Sequence, residues 1–145
     1  MNEINISCNH LKYPINKENL KLFCKKILNY RGYTLYLVSI IFVSQEKLKK
    51  MKKKYFKKDM YTDVIAFNLN EKNEDLEGEL YISYNYVKHN AKCYKTNFEE
   101  EIRRVIAHGL LHLIGYEDST IKLKKEMTKF EDFFINFLED KKLLC

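Results

Sequence analysis

His108-Gly109-Leu110-Leu111-His112-Leu113-Ile114-Gly115-Tyr116-Glu117-Asp118 sets two histidines four residues apart in an otherwise apolar run. On a helix this spacing puts both imidazoles on one face, one turn apart. Gly115 can end that helix, because glycine takes the left-handed conformation at little cost. The chain can then double back and bring Asp118 toward the two rings. Two histidines and a carboxylate are three ligands for one zinc ion per chain, with a fourth position open to water. From 105 to 114 every residue except the histidines is apolar or glycine, so the helix is expected to be buried on most sides. An unpaired imidazole there costs roughly 1–3 kcal/mol, which a metal or a hydrogen-bonding neighbour in the core would offset. Asp118-Ser119-Thr120 also reads as the N-cap of a following helix, which would give Asp118 a local role instead.

The chain has 145 residues, 46% of them apolar, enough for one domain, 1–145, with a real core. No window approaches the 18 apolar residues of a membrane span. Met1-Asn2-Glu3-Ile4 has neither the basic nor the apolar region of a signal peptide, and Cys8, Cys24, Cys93 and Cys145 have no paired spacing. Both features lead to the expectation of a cytoplasmic protein with reduced thiols. The net charge of +6 is unevenly spread. Residues 1–60 carry 14 Lys+Arg against 4 Asp+Glu, whereas residues 61–145 carry 12 against 16. A basic half favours a polyanionic partner. The abundance of Lys, Asn, Ile and Tyr is equally what AT-rich coding DNA yields without selection for binding.

Alternation over 4–8 predicts a first strand. Asn16 is expected to cap a helix carrying Leu20, Phe23, Ile27 and Tyr30, closed by Gly32. Residues 35–43, almost all apolar and β-branched or aromatic, predict a central strand buried on both faces. Ser44 starts a helix over about 45–55 with an inward stripe of Leu48, Met51 and Tyr55. Further strands are expected over 62–67 and 78–83, separated by a polar loop over 70–77. Ser83 and Asn97 can cap the next two helices, the second carrying the histidines. A last helix after Asp118 shows an apolar stripe of Leu123, Met127, Phe130, Phe134 and Phe137. About four strands and five helices make an α+β domain with a small mixed sheet flanked by helices.

In zinc proteases the residue after the first histidine is the glutamate general base. Gly109 stands there and can neither take a proton nor orient water, so a metalloprotease is disfavoured. A metal that lowers the pKa of its own water still suits phosphodiester cleavage. Arg104, one turn before His108, is a candidate to hold a phosphate oxygen, unless it pairs with Glu100 or Glu101. Glu117 is a candidate proton acceptor. Lys50, Lys53, Lys54, Lys57 and Lys58 form a candidate nucleic-acid-binding face, or an ordinary solvated one.

His108-Gly109-Leu110-Leu111-His112-Leu113-Ile114-Gly115-Tyr116 resembles the signature of the YbeY-type endoribonucleases. Asp59 with Thr62-Asp63-Val64-Ile65-Ala66-Phe67 resembles the segment Asp, then Thr-Asp-Val-(Leu/Ile)-Ser-Phe of that family. Gly78-Glu79-Leu80-Tyr81-Ile82-Ser83, with Val87 and Asn90-Ala91, resembles its next strand and helix. The likeness runs in order over about 35–130. It implies a zincin-like α+β fold, His108 and His112 as zinc ligands, and single-strand-specific endoribonuclease action in small-subunit rRNA maturation and ribosome quality control. RNA, and with it the small ribosomal subunit, would be the partner. Two positions depart from the family pattern. Asp118 replaces the usual third histidine, as in one branch of the family, and Phe56 stands where the family often has an arginine before the Thr-Asp-Val strand. Loss of that arginine makes a non-catalytic, RNA-binding ribosome assembly factor with a structural metal the alternative.

Overall fold

The computed structural model describes residues 2–8, 12–70 and 75–145. Among these residues four strands form one mixed sheet: β1 (Asn2–Ser7), β2 (Tyr36–Val43), β3 (Val64–Asn68) and β4 (Leu76–Ser83). Their spatial order is β1-β2-β4-β3, with β1, β2 and β4 parallel and β3 antiparallel at the edge. Five helices among the described residues accompany them: α1 (Lys17–Tyr30), α2 (Gln45–Phe56), α3 (Tyr84–Cys93), α4 (Phe98–Leu113) and α5 (Ile121–Phe134). Asn16, Ser44, Ser83, Asn97 and Thr120 cap them in turn, each side chain accepting from the backbone N–H three residues on. The architecture is the α+β arrangement expected from the sequence.

The sheet is two-sided. Tyr36, Val38, Ile40 and Phe42 of β2 are buried in one core with α1, α3, α4 and α5. Leu37, Ser39 and Ile41 point the other way and are only half-buried. The expectation that β2 is buried on both faces is therefore wrong. α2 alone covers the second face, packing Leu48 and Met51 on Val43, Ile65, Phe67 and Tyr81. Its stripe also ends early, because Tyr55 is 54% exposed. β4 begins two residues before the expected start, in the stretch read as a loop; residues 71–74 of that loop lie outside the described residues.

α4 is the central helix. Ile102, Val105, Ile106, Ala107, Gly109, Leu110, Leu111 and Leu113 are all buried. It lies so close to the sheet that a Cβ on Gly109 would stand 3.0 Å from a Leu80 methyl and 3.1 Å from Val64. A Cβ on Gly78, across the same contact, would meet Leu113 at 2.7 Å and the Phe67 carbonyl at 2.9 Å. Glycine at both positions lets helix and sheet approach, and this fixes the depth at which the histidines sit. Behind α4, Arg103 is 3% exposed. It donates to Glu99 and to the carbonyls of Ile135, Phe137, Leu138 and Lys141. Glu99 in turn accepts from the backbone N–H groups of Leu143 and Leu144, so one ion pair ties down the C-terminal segment.

Candidate metal centre

α4 ends where the sequence places its stop. Gly115 has φ +101°, its N–H reaches the His112 carbonyl, and the Tyr116 N–H reaches the Leu111 carbonyl. These paired bonds form a Schellman turn, which needs a left-handed residue at its centre. The turn does more than end the helix. It aims the Tyr116 carbonyl back at His112, whose Nδ1 lies 3.0 Å away. A carbonyl only accepts, so Nδ1 carries the proton and Nε2 keeps its lone pair. Asn68 of the edge strand donates to the Leu113 carbonyl and fastens this end of the helix to the sheet.

His108 is held in the same tautomer from the opposite side. Its Nδ1 donates to Glu131 of α5 over 2.6 Å. The two Nε2 atoms thus face each other 3.0 Å apart, and the rings stand at 83°. Lone pairs so placed repel unless a proton or a cation stands between them. Asp118 brings one carboxylate oxygen to 3.5 Å from His108 Nε2 and 3.6 Å from His112 Nε2. It is free to do so because Thr120, not Asp118, caps α5. All three donor atoms lie within 4.8 Å of one another, and the group could hold a metal ion. The donor set fits a metal centre with a carboxylate and a carbonyl orienting the ligands from behind.

The electrostatics follow the same layout. Burial pushes the His108 pKa down, but the Glu131 hydrogen bond and charge, with Asp63 and Asp118, outweigh it and leave it raised. Burial and the neighbouring His108 lower His112. Burial raises Asp63, against the pull of His108.

The site opens into a cleft of about 880 Å³. Asp63, Val64, Ala66 and Asn68 of the β3 side, the two histidines, Asp118, and Lys52 and Phe56 of α2 all line it. Glu117 lines its rim and is exposed. Arg104 does not stand over the cleft: its guanidinium turns to α5 and pairs with Glu131 at 3.3 Å and Asp132 at 2.7 Å. Lys50, Lys53, Lys54, Lys57 and Lys58 are exposed on α2 and just beyond it, outside the cleft lining; among the described residues Lys52 is the lysine that enters it.

Comparison with known proteins accounts for this combination. A family model described as "Endoribonuclease YbeY" matches residues 5–139. The chain belongs to that family. Its members are hydrolytic nucleases, and the chain is an enzyme of that class. The endoribonuclease YbeY of Cytophaga hutchinsonii is 36% identical over 116 residues, covering 80% of this chain and 81% of the relative. That of Borreliella afzelii is 33% identical over 135 residues, covering 86% of each. The solution structure of TM1509 from Thermotoga maritima matches with a TM-score of 0.66 at 31% identity, over 92% of this chain and 87% of that one. No helix among the described residues is long and apolar enough to cross a membrane.

Sequence reasoning passed over Glu131, Asp63 and Lys52 as site residues. Glu131 had a legible signal. It falls four residues after Met127 and three before Phe134, so a carboxylate stands on the buried stripe of α5, 7% exposed. A carboxylate in such a place needs a partner. Asp63 stood in the Thr-Asp-Val segment that resembles the family, but its facing, like that of Lys52, depends on how β3 and α2 pack.

Proposed function

We propose that this protein is a zinc-dependent, single-strand-specific endoribonuclease of small-subunit rRNA maturation and ribosome quality control, working in the cytoplasm as a single domain over 1–145. The observation that carries this reading is the facing pair of imidazole nitrogens with Asp118 at the floor of an open cleft. His108, His112 and Asp118 would hold one zinc ion per chain. A bound zinc ion supplies a Lewis acid and a water of pKa near ~7. Glu131 and the Tyr116 carbonyl keep the two imidazoles turned toward the ion. Glu117, at the rim, takes the proton released in cleavage. Arg104 acts on Glu131 as a positioning residue, holding the carboxylate that holds His108. The lysines at 50, 53, 54, 57 and 58 hold the phosphate chain outside the cleft, with salt-sensitive affinity.

Gly109 has no side chain to serve as a protease base, and a Cβ there would meet Leu80 and Val64. The test is cleavage of single-stranded and duplex RNA by zinc-loaded protein, beside His108→Ala and Asp118→Ala, with metal content measured in each. Cleavage of the single strand alone, lost with the metal in both variants, is expected. Intact RNA, or equal cleavage by His108→Ala, would refute it. Phe56, at the family arginine position, favours a second reading: a non-catalytic assembly factor that binds RNA around a structural zinc. Tight RNA binding by zinc-loaded protein without turnover would establish that role instead.

A further inference from the structure

The C-terminal turn of α2 and the loop after it leave large rings in water. Tyr55 is 54% exposed, Phe56 42% and Tyr61 41%. They are not loose. Phe56 stacks on Phe67 of β3 with centroids 6.0 Å apart and planes at 25°, and Tyr55 meets the same Phe67 edge-on at 5.2 Å. Each exposed ring also carries an ammonium group: Lys52 lies 5.0 Å from the Phe56 centroid, Lys54 5.2 Å from Tyr55 and Lys49 4.5 Å from Tyr61. Phe56 and Lys52, one helical turn apart, both line the cleft that holds the histidines. Between 44 and 61 there are eight lysines against two acidic residues.

We propose that Phe56, backed by Phe67 and flanked by Tyr55, is a base-stacking platform at the mouth of the cleft, with Lys52 as its phosphate contact. Rings grouped in water mark a binding surface, and the lysines among them select a polyanion that also has flat apolar faces. Single-stranded RNA meets both conditions. Its bases offer their faces to aromatic rings, while the bases of a duplex are stacked on one another. Stacking is indifferent to base identity, so the platform orders the strand without choosing a sequence. It lines the same cleft as His108 and His112, so a strand stacked there would run on toward the candidate metal centre. This inference rests on the endoribonuclease reading and adds the residues that would make that enzyme prefer an unpaired strand.

The experiment is equilibrium binding of a short single-stranded RNA carrying 2-aminopurine, with EDTA present so that no turnover occurs. Full-length wild type is compared with Phe56→Ala, Phe56→Tyr and Lys52→Ala, each checked for its fold by circular dichroism. Phe56→Ala is expected to lose affinity roughly tenfold and to abolish the quenching of 2-aminopurine that stacking causes. Phe56→Tyr should retain both. Lys52→Ala should keep the quenching and reduce the slope of log affinity against log salt by about one phosphate contact. Wild-type affinity and quenching in Phe56→Ala would overturn the platform while leaving the endoribonuclease reading intact. Equal affinity of the wild type for duplex and single strand would also overturn it. Failure of the wild type to bind RNA, with binding to polyglutamate or anionic vesicles, would overturn the platform and that reading together.

Discussion

Glu131 is the residue whose removal most directly probes the metal centre. It touches the proposed ligand set only at His108 Nδ1, over 2.6 Å, and it is 7% exposed. Glu131→Ala leaves the His108 ring without its orienting acceptor and frees its tautomer. Loss of such a partner weakens metal binding by about 10–100-fold, or about 1.4–2.7 kcal/mol. Arg104 keeps Asp132 at 2.7 Å and stays 27% exposed, so the variant does not strand a buried cation. Zinc affinity is measured by competition with a chromophoric chelator at pH 8, where competition from imidazole protons is weaker than at pH 6. At pH 6 the wild type is at a disadvantage of another kind. Glu131 helps hold the His108 pKa above its ordinary value, so a proton occupies the ring that the metal needs. Glu131→Gln should therefore show a shallower loss of affinity from pH 8 to pH 6 than wild type. Asp132→Asn, which alters an exposed partner of Arg104 alone, should bind zinc within a factor of about three. Zinc affinity of folded Glu131→Ala within threefold of wild type would show that Glu131 does not orient His108.

Gly109→Glu should destabilise the protein by about 3 kcal/mol or more in urea unfolding, since the side chain is driven onto Leu80 and Val64; peptidase activity should stay absent. Stability within 0.5 kcal/mol of wild type would refute the close approach of α4 to the sheet. Arg103→Met breaks a buried ion pair and frees four carbonyls, costing about 3–5 kcal/mol, with hydrogen-exchange protection lost first at Leu143 and Leu144. Burial pushes Glu99 up, but the Leu143 and Leu144 amides and Arg103 outweigh it and hold its pKa below the ordinary 4.5. A carboxylate depressed on folding contributes stability above its unfolded pKa and loses it as pH falls through the folded value. Acid titration should therefore release the C-terminal segment below about pH 4.5, and Glu99→Gln should remove that pH dependence.

Much of the candidate centre can be read from the chain because its geometry is local. Four-residue spacing puts His108 and His112 on one face of any helix, and Gly115 ends that helix wherever the helix lies. The caps at Asn16, Ser44, Ser83, Asn97 and Thr120 are local too, each acting on an N–H three residues away. Contacts across 20 or more residues are not so encoded. Arg104 sits on the helical face of His108, yet it turns to Glu131 and Asp132 because α5 packs there. β2 reads as buried on both sides, yet only α2 reaches its second face, since hydrophobic composition does not state how many helices are available to cover a strand. Lys52 enters the cleft and its neighbours do not, because α2 presents one turn of one face to β3. The sequence by itself determined the helix, its stop and the two imidazoles on one side. Only the tertiary structure decided that Glu131 holds one ring from behind, that Asp118 completes the triangle, and that Phe56 lines the cleft, because each depends on the packing of elements distant along the chain.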